Sequence, residues 1–266
     1  QNVQASLTFC IRLALSLHHK EIRNQHTPMK YKFFNIIFAI ISLSFLLSCQ
    51  SQTHKELCNA DNLLETNIDS AQRIVQSIQP SSLHSLADSA YYVLLKSIII
   101  YKRYEKQPTS TLDFPVQFYE KEENYRLLQK AYYYRGAINV DNKGKAEISA
   151  LDFKKAENLN EIVRDSSLIK KLYGSMTSLY FSSKNYHEHL IYEKKSLKLA
   201  QQLDDKELQA FYYSGMAICL KALGKRGLAA PYVDSSLSFV NYMSQKESQS
   251  AIYCNSGNFF VDHDLN

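Results

Sequence analysis

Tryptophan is absent, and glycine (7) and proline (5) are scarce for a chain of 266 residues. So few breakers argue against a loop-rich all-β protein and against a glycine-rich phosphate cradle. None of the five cysteines (Cys10, Cys49, Cys58, Cys219, Cys254) forms a CxxC pair, the main signature of zinc ribbons and thioredoxin-like redox sites. Charge of one sign is also missing from the body of the chain. The formal +5 is concentrated in residues 1–48, where five Lys/Arg face the single acid Glu21, leaving 26 basic against 25 acidic side chains in 49–266. A nucleic-acid binder concentrates basic charge on its binding face; this body carries no such footprint, and no nucleic-acid partner is expected.

What is present is a globular balance, with 45% apolar and 21% charged residues, 19 Tyr and 13 Phe. That excludes wholesale disorder and leaves room for one or two domains or one solenoid. From Met29 the chain reads MKYKFFNIIFAIISLSFLLSCQSQ. Lys30 and Lys32 precede an apolar run, Phe33 to Leu47, too short for the roughly 20 residues that span a bilayer but suited to a secretory signal. The run ends in Leu46-Leu47-Ser48-Cys49, which resembles a bacterial lipobox, with Leu47 bulkier than usual in the middle. The resemblance implies cleavage before Cys49, lipidation of its thiol and a membrane anchor there. Acyl chains contribute about 0.8 kcal/mol per buried methylene. Gln50 rather than Asp follows, favouring the outer membrane and its periplasmic side. Residues 29–48 are therefore expected to be a signal peptide, and residues 1–28, which lack an initiating Met, upstream non-native sequence. With Cys49 modified, three cysteines remain in the mature chain; Cys219 and Cys254 are expected as buried thiols, a bridge between them being the alternative.

Tyr133, Tyr173, Tyr213 and Tyr253 recur every 40 residues, as do Ala156, Ser196 and Ser236, and Gly144, Lys184 and Gly224. Each unit reads as two helices. In one, Leu172, Met176, Leu179 and Tyr180 form a first stripe and Tyr186, Leu190, Leu197 and Ala200 a second, at helical intervals of three and four. Small residues at Gly136, Gly174 and Gly215 would let helices approach. Upstream, Leu57–Leu64, Asp69–Ile78 and Ser85–Glu105 predict three more helices, with Asp69 or Asn67 as a cap. Pro108 to Pro115 reads as a linker.

This pattern resembles the tetratricopeptide repeat (TPR) family, with Tyr133 and its equivalents at the first large position, Tyr180 and Tyr186 at the two tyrosines, Gly144 and Gly224 at the turn, and Phe153, Ala156 and Ala229 in the second helix. The resemblance covers about 125–266, preceded by degenerate helical hairpins in 49–124. It implies an all-α, right-handed superhelical solenoid of antiparallel helix pairs, about 40 residues per repeat. Two features depart from the family: the spacing exceeds its usual 34 or so, and Pro231 falls inside a second helix, where it should kink or delay it. The AYYVLLKSIIIYKRYEK run at 90–106 also resembles the TPR lipoproteins and regulators of anaerobic gut Gram-negatives, in which the repeats form the sensing half of a longer chain. The fourth unit stops after one helix without a polar cap, so the chain is expected to be a fragment.

The resemblance places partner-binding residues on the concave first-helix face: Tyr134, Ile138 and Asp141; Lys171, Ser178 and Phe181; Phe211, Ser214 and Lys221. It implies a non-enzymatic module for a protein or peptide ligand, with no cofactor. An outer-membrane glycan-capture lipoprotein of the starch-binding type is the alternative. Catalytic patterns are missing. His187 and His189 stand two apart, pointing about 200° away from each other on a helix, and so are not joint metal ligands but surface polar residues. Gly144-Lys145 and Gly224-Lys225 lack the rest of a P-loop.

Overall fold

The computed structural model describes residues 52–261. The expected upstream segment 1–28, the signal 29–48 and Cys49 lie outside the described residues. The chain divides into two units, 1–55 and 56–266; of the first, only 52–55, the start of a helix, is described.

All regular structure among the described residues is helical, as expected for an all-α chain. The helices are α1 (Gln52–Leu63), α2 (Ile68–Ser77), α3 (Leu86–Lys102), α4 (Asp113–Lys121), α5 (Tyr125–Asp141), α6 (Ala146–Glu157), the single turn α7 (Asn160–Val163), α8 (Ser166–Ser182), α9 (Tyr186–Gln202), α10 (Lys206–Ala222), α11 (Arg226–Ser238) and α12 (Lys246–Val261). No helix among them is long and apolar enough to cross a membrane.

One local device recurs at the turns. Glu123, Arg164, Lys184, Asp204 and Gly224 each adopt a left-handed backbone, with φ of 51° to 70°, and the next residue caps or opens the following helix. Asn124, Asp165, Asn185 and Asp205 accept the backbone N–H three residues on, satisfying a donor that has no partner within the helix. Two of these residues also close the helix before: Asn185 N–H reaches Tyr180 O at 2.8 Å and Asp205 N–H reaches Ala200 O at 2.9 Å. Each is the six-residue closure that a left-handed residue permits. At these two turns one short polar pair thus ends one helix and starts another.

This geometry corrects the repeat register. The starts of α8, α10 and α12 are 40 apart, but α5 starts 41 before α8. The additional residue is in the α5–α6 turn, where Lys143 takes the left-handed conformation and Gly144 follows it before Lys145 opens α6. Gly144 is therefore not the counterpart of Gly224. Its own constraint is steric: a Cβ there would lie 2.0 Å from Asn139 Oδ1. Tyr132, not Tyr133, is the counterpart of Tyr173 and Tyr213.

Of the two cap candidates for α2, Asn67 is the one that caps it. Two other expectations change. The supposed linker is a short 3-10 turn, Thr109–Leu112, and Pro115 sits in the first turn of α4, where a missing N–H costs nothing. Pro231 neither stops nor delays α11, which starts 40 residues after α9.

Neighbouring helices pack in sequence: α5 on α6, α8 on α9, α10 on α11, with α8 against α5 and α6, and α12 against α10 and α11. Leu57 through Tyr192 contribute to one continuous core, in which Tyr91, Tyr119, Tyr132, Tyr133, Tyr134 and Tyr192 are buried. Beyond it lie two small clusters, one around Ala217, Ala229 and Val233, the other around Ala210, Val240 and Ile252.

Candidate functional site

Two clefts open on the first helices of the pairs. The first, about 350 Å3, lies between α5 (Tyr133, Ala137, Val140, Asp141) and α8 (Lys171, Gly174, Ser175, Ser178), with Tyr101 of α3. The second, about 300 Å3, lies between α10 (Ser214, Ala217, Ile218, Lys221) and α12 (Asn255, Ser256, Asn258, Phe259), with Phe181 of α8. With the corrected register, Tyr133, Ala137 and Val140 occupy the same helix positions as Ser214, Ile218 and Lys221. Across each cleft, Ser175 and Ser178 match Asn255 and Asn258. The same face of the first helix is used twice.

Six of the expected partner-binding residues are brought together in this way: Asp141, Lys171 and Ser178 in the first cleft, Phe181, Ser214 and Lys221 in the second. The other three are not. Tyr134 and Ile138 are 3% and 2% exposed and belong to the main core. The one-residue slip explains Ile138, because the true counterpart of Ser178 is Ala137, which does line the cleft. Phe211 packs against the Ala210–Val240–Ile252 cluster. The glycines also differ in role. Gly136 and Gly215 face close neighbours, Phe153 at 2.8 Å and Glu193 at 2.3 Å from a built Cβ, whereas Gly174 meets nothing within 4 Å and leaves cleft space.

The clefts differ in chemistry. At the first, Lys171 pairs with Glu65 at 2.5 Å, and Lys102 reaches the same carboxylate at 2.9 Å. Burial works against that charge, yet the two lysines outweigh it and hold Glu65 below the usual carboxylate range. Asp141, which has no such cation, is shifted up by desolvation. Tyr133 hydroxyl lies 3.4 Å from Ser175 Oγ. The second cleft is lined by one cation and no carboxylate. Lys221 Nζ donates to Asn258 O at 3.2 Å, and Asn255 Nδ2 donates to Ser214 Oγ at 3.3 Å. Ser236 Oγ, at its floor, is buried without a hydrogen-bond partner. Apolar walls with a few convergent donors suit a side chain or short peptide segment carrying acceptors.

His189 is not the surface residue expected. His187 is exposed, while His189 is 5% exposed and faces inward beside Glu193, one turn on and 6% exposed. Spacing alone could have pointed to this pair, since residues four apart share a face. Cys219 is buried, with its Sγ 2.9 Å from Tyr186 O, and Cys254 is exposed; both are free, so no bridge joins them. Among the described residues, no group of three His, Cys, Asp or Glu side chains is arranged to hold a metal ion.

No family model matches the chain, and no curated protein matches it significantly.

Proposed function

We propose that the chain is a TPR-like solenoid of antiparallel helix pairs that binds an extended protein or peptide segment along its first-helix face, without covalent chemistry. The observation that carries this reading is the repeated use of equivalent positions, Tyr133/Ala137/Val140 and Ser214/Ile218/Lys221, to line two clefts, α5–α8 and α10–α12. A repeat array stacks like units so that one face becomes a continuous binding strip. Serine, asparagine and lysine along that strip offer donors to peptide carbonyls, and Phe181 and Phe259 offer apolar seats.

The address proposed with it is that of a lipoprotein anchored at Cys49 in the outer membrane, acting as the sensor half of a longer regulatory protein. Charge, apolar length and the Leu-Leu-Ser-Cys ending at 46–49 support that part.

Site-specific photo-crosslinking in a Gram-negative host tests the binding reading. A crosslinker at Ser178 or Ile218 should capture a discrete protein partner that one at Leu151, exposed on α6, does not. Equal capture from both faces, or retention of the chain on glycan arrays without a protein partner, overturns it. The intact mass of the membrane-extracted protein expressed from Met29 tests the anchor: a start at Cys49 with added acyl mass is expected, and an unprocessed chain removes the lipoprotein proposal.

A further inference from the structure

Glu193 is placed unlike Asp61, Asp152 and Glu157, which are held by cations. It projects from α9 against α10 at Gly215, where a Cβ would lie 2.3 Å from its Oε1. No lysine or arginine reaches it among the described residues; its ion-pair neighbour is His189, with Nε2 at 3.3 Å from Oε1. Its second oxygen, Oε2, is buried without a partner. The histidine is fixed from the other side, its Nδ1 being 2.9 Å from the carbonyl oxygen of Thr177 on α8. A carbonyl only accepts, so Nδ1 carries the proton and the neutral ring turns a lone pair on Nε2 toward Glu193.

That arrangement requires one proton between His189 Nε2 and Glu193 Oε1. With it, a donor faces an acceptor. Without it, a carboxylate faces a lone pair inside the protein, with no lysine or arginine among the described residues to compensate. We propose that the His189–Glu193 pair is a one-proton latch. While protonated it holds α8, α9 and α10 together beneath the second cleft; losing the proton loosens α9 from α10 and shifts Phe181 in the cleft wall. Phe181 is the link, because its ring packs 5.4 Å from the His189 ring and is itself half exposed along the cleft.

The surroundings agree. Burial pushes the Glu193 carboxyl up to about 8. Desolvation lowers His189, and its bond to Thr177 opposes that only partly. The proton therefore resides on Glu193 near neutrality and leaves as the medium becomes alkaline. From α10, Tyr212 and Cys219 face Glu193; both are raised, first by burial and then by that carboxylate, Cys219 to about 11. From α8 the facing groups are the Thr177 carbonyl and the Phe181 ring, neither of which titrates. Glu193 is thus the group that changes charge near pH 8. Any effect on ligand affinity rests on the groove reading above; the latch itself does not.

The chain has no tryptophan, so Phe181→Trp makes a single fluorescent reporter of the cleft wall. In the full chain, its emission should shift on titration from about pH 5 to about pH 9.5, with a midpoint near 8 and helical circular dichroism unchanged. Adding Glu193→Gln should abolish the shift and keep emission at its acid-side value, because a carboxamide cannot lose the proton. Emission that is flat in the Glu193 chain overturns the latch, and so does a shift that survives Glu193→Gln with the same midpoint. Should Glu193→Gln fail to fold, the urea midpoint of the unsubstituted chain decides: it falls between pH 6 and 9 if the latch exists, and stays level or rises if it does not.

Discussion

From α1 to α9 the protein is built on large side chains and paired charges; from α10 onward it is built on small ones. The first region shares a single core with six buried tyrosines, and three of its inward-facing acids, Asp61, Asp152 and Glu157, are held by cations. Asp61 accepts from Tyr91, Arg126 and Lys130 at 2.8, 2.8 and 2.6 Å. Asp152 is held by both arms of Arg135 at 2.8 and 2.7 Å. Glu157 accepts from Tyr192 at 2.6 Å and Lys195 at 2.5 Å. In the second region Ala210, Ser214, Ala217, Ala229 and Ser236 occupy the interior, and the core splits into two clusters. Glu193, on α9 at the border, has a histidine and, among the described residues, no lysine or arginine. Small interior residues bring backbones close but bury little area, so stability per helix falls toward the C-terminal side.

The largest break in that contrast should come from Tyr192→Ala. It removes a fully buried ring wedged between Tyr173 and Tyr180 and takes one hydrogen bond from Glu157, costing about 3–5 kcal/mol. Val233→Ala, in a small cluster, should cost about 1–2 kcal/mol. Urea denaturation of the two variants reads the difference directly; equal losses would mean that the two cores are energetically alike.

Next in size is a contrast of sign. Asp61→Asn should destabilise by about 2–3 kcal/mol near neutral pH, a figure discounted because Arg126 is half exposed. Glu193→Gln should leave stability unchanged or raise it, increasingly so as pH climbs from 4.5 toward about 8 and level beyond that. The linkage follows from the two directions. Burial alone would raise Asp61, but Lys130, Arg126 and Tyr91 outweigh it and hold it below 3.8, so its stabilisation is present above that value and is lost as pH falls through the depressed one. Glu193 is raised from 4.5 to about 8, so the native state binds the extra proton and stability declines as pH climbs across that interval. His189, lowered from 6.5, withdraws stability as pH falls below that value, because the unfolded chain takes up the proton first. Urea midpoints measured across pH for Asp61→Asn, Glu193→Gln and the parent should separate these limbs.

The smallest effects belong to the turns. Gly224 is left-handed at φ 70° in open space, so Gly224→Ala should cost about 1 kcal/mol through backbone strain alone. Lys184, at φ 56° in the equivalent turn, should gain a few tenths of a kcal/mol as Lys184→Gly. Thermal melts of the pair sharpen the comparison, since the two turns share one geometry but different residues. If both substitutions move the midpoint in the same direction, strain is not what distinguishes them.

Much of the fold could be read from residues near each other in the chain. Asn67, Asn124, Asp165, Asn185 and Asp205 are short polar side chains set just before apolar stripes, and each caps a helix. The 20-residue spacing of Asp165, Asn185 and Asp205 is a local property. What misled was counting by tyrosines: Tyr133 falls in step with Tyr173 by number but not by helix position, because the α5–α6 turn carries one additional residue. That slip placed Ile138 on the binding face when the structure buries it, and passed over Ala137 and Val140. Pro231 misled for a different reason, since local propensity is outweighed where the flanking helix is packed along its length.

Helix identity, helix limits and the order of packing were determined by the sequence itself, because caps, breakers and stripes act over a few residues and neighbours in the chain become neighbours in space. Which side chains face a cleft was decided only by tertiary structure. Tyr134 and Ser178 are both mid-helix residues, and nothing local separates the one that is covered from the one that is not. The same holds for Glu193. An acid one turn from a histidine is ordinary on a surface; it becomes a proton-requiring pair only because Gly215 of α10 lets a backbone close over it.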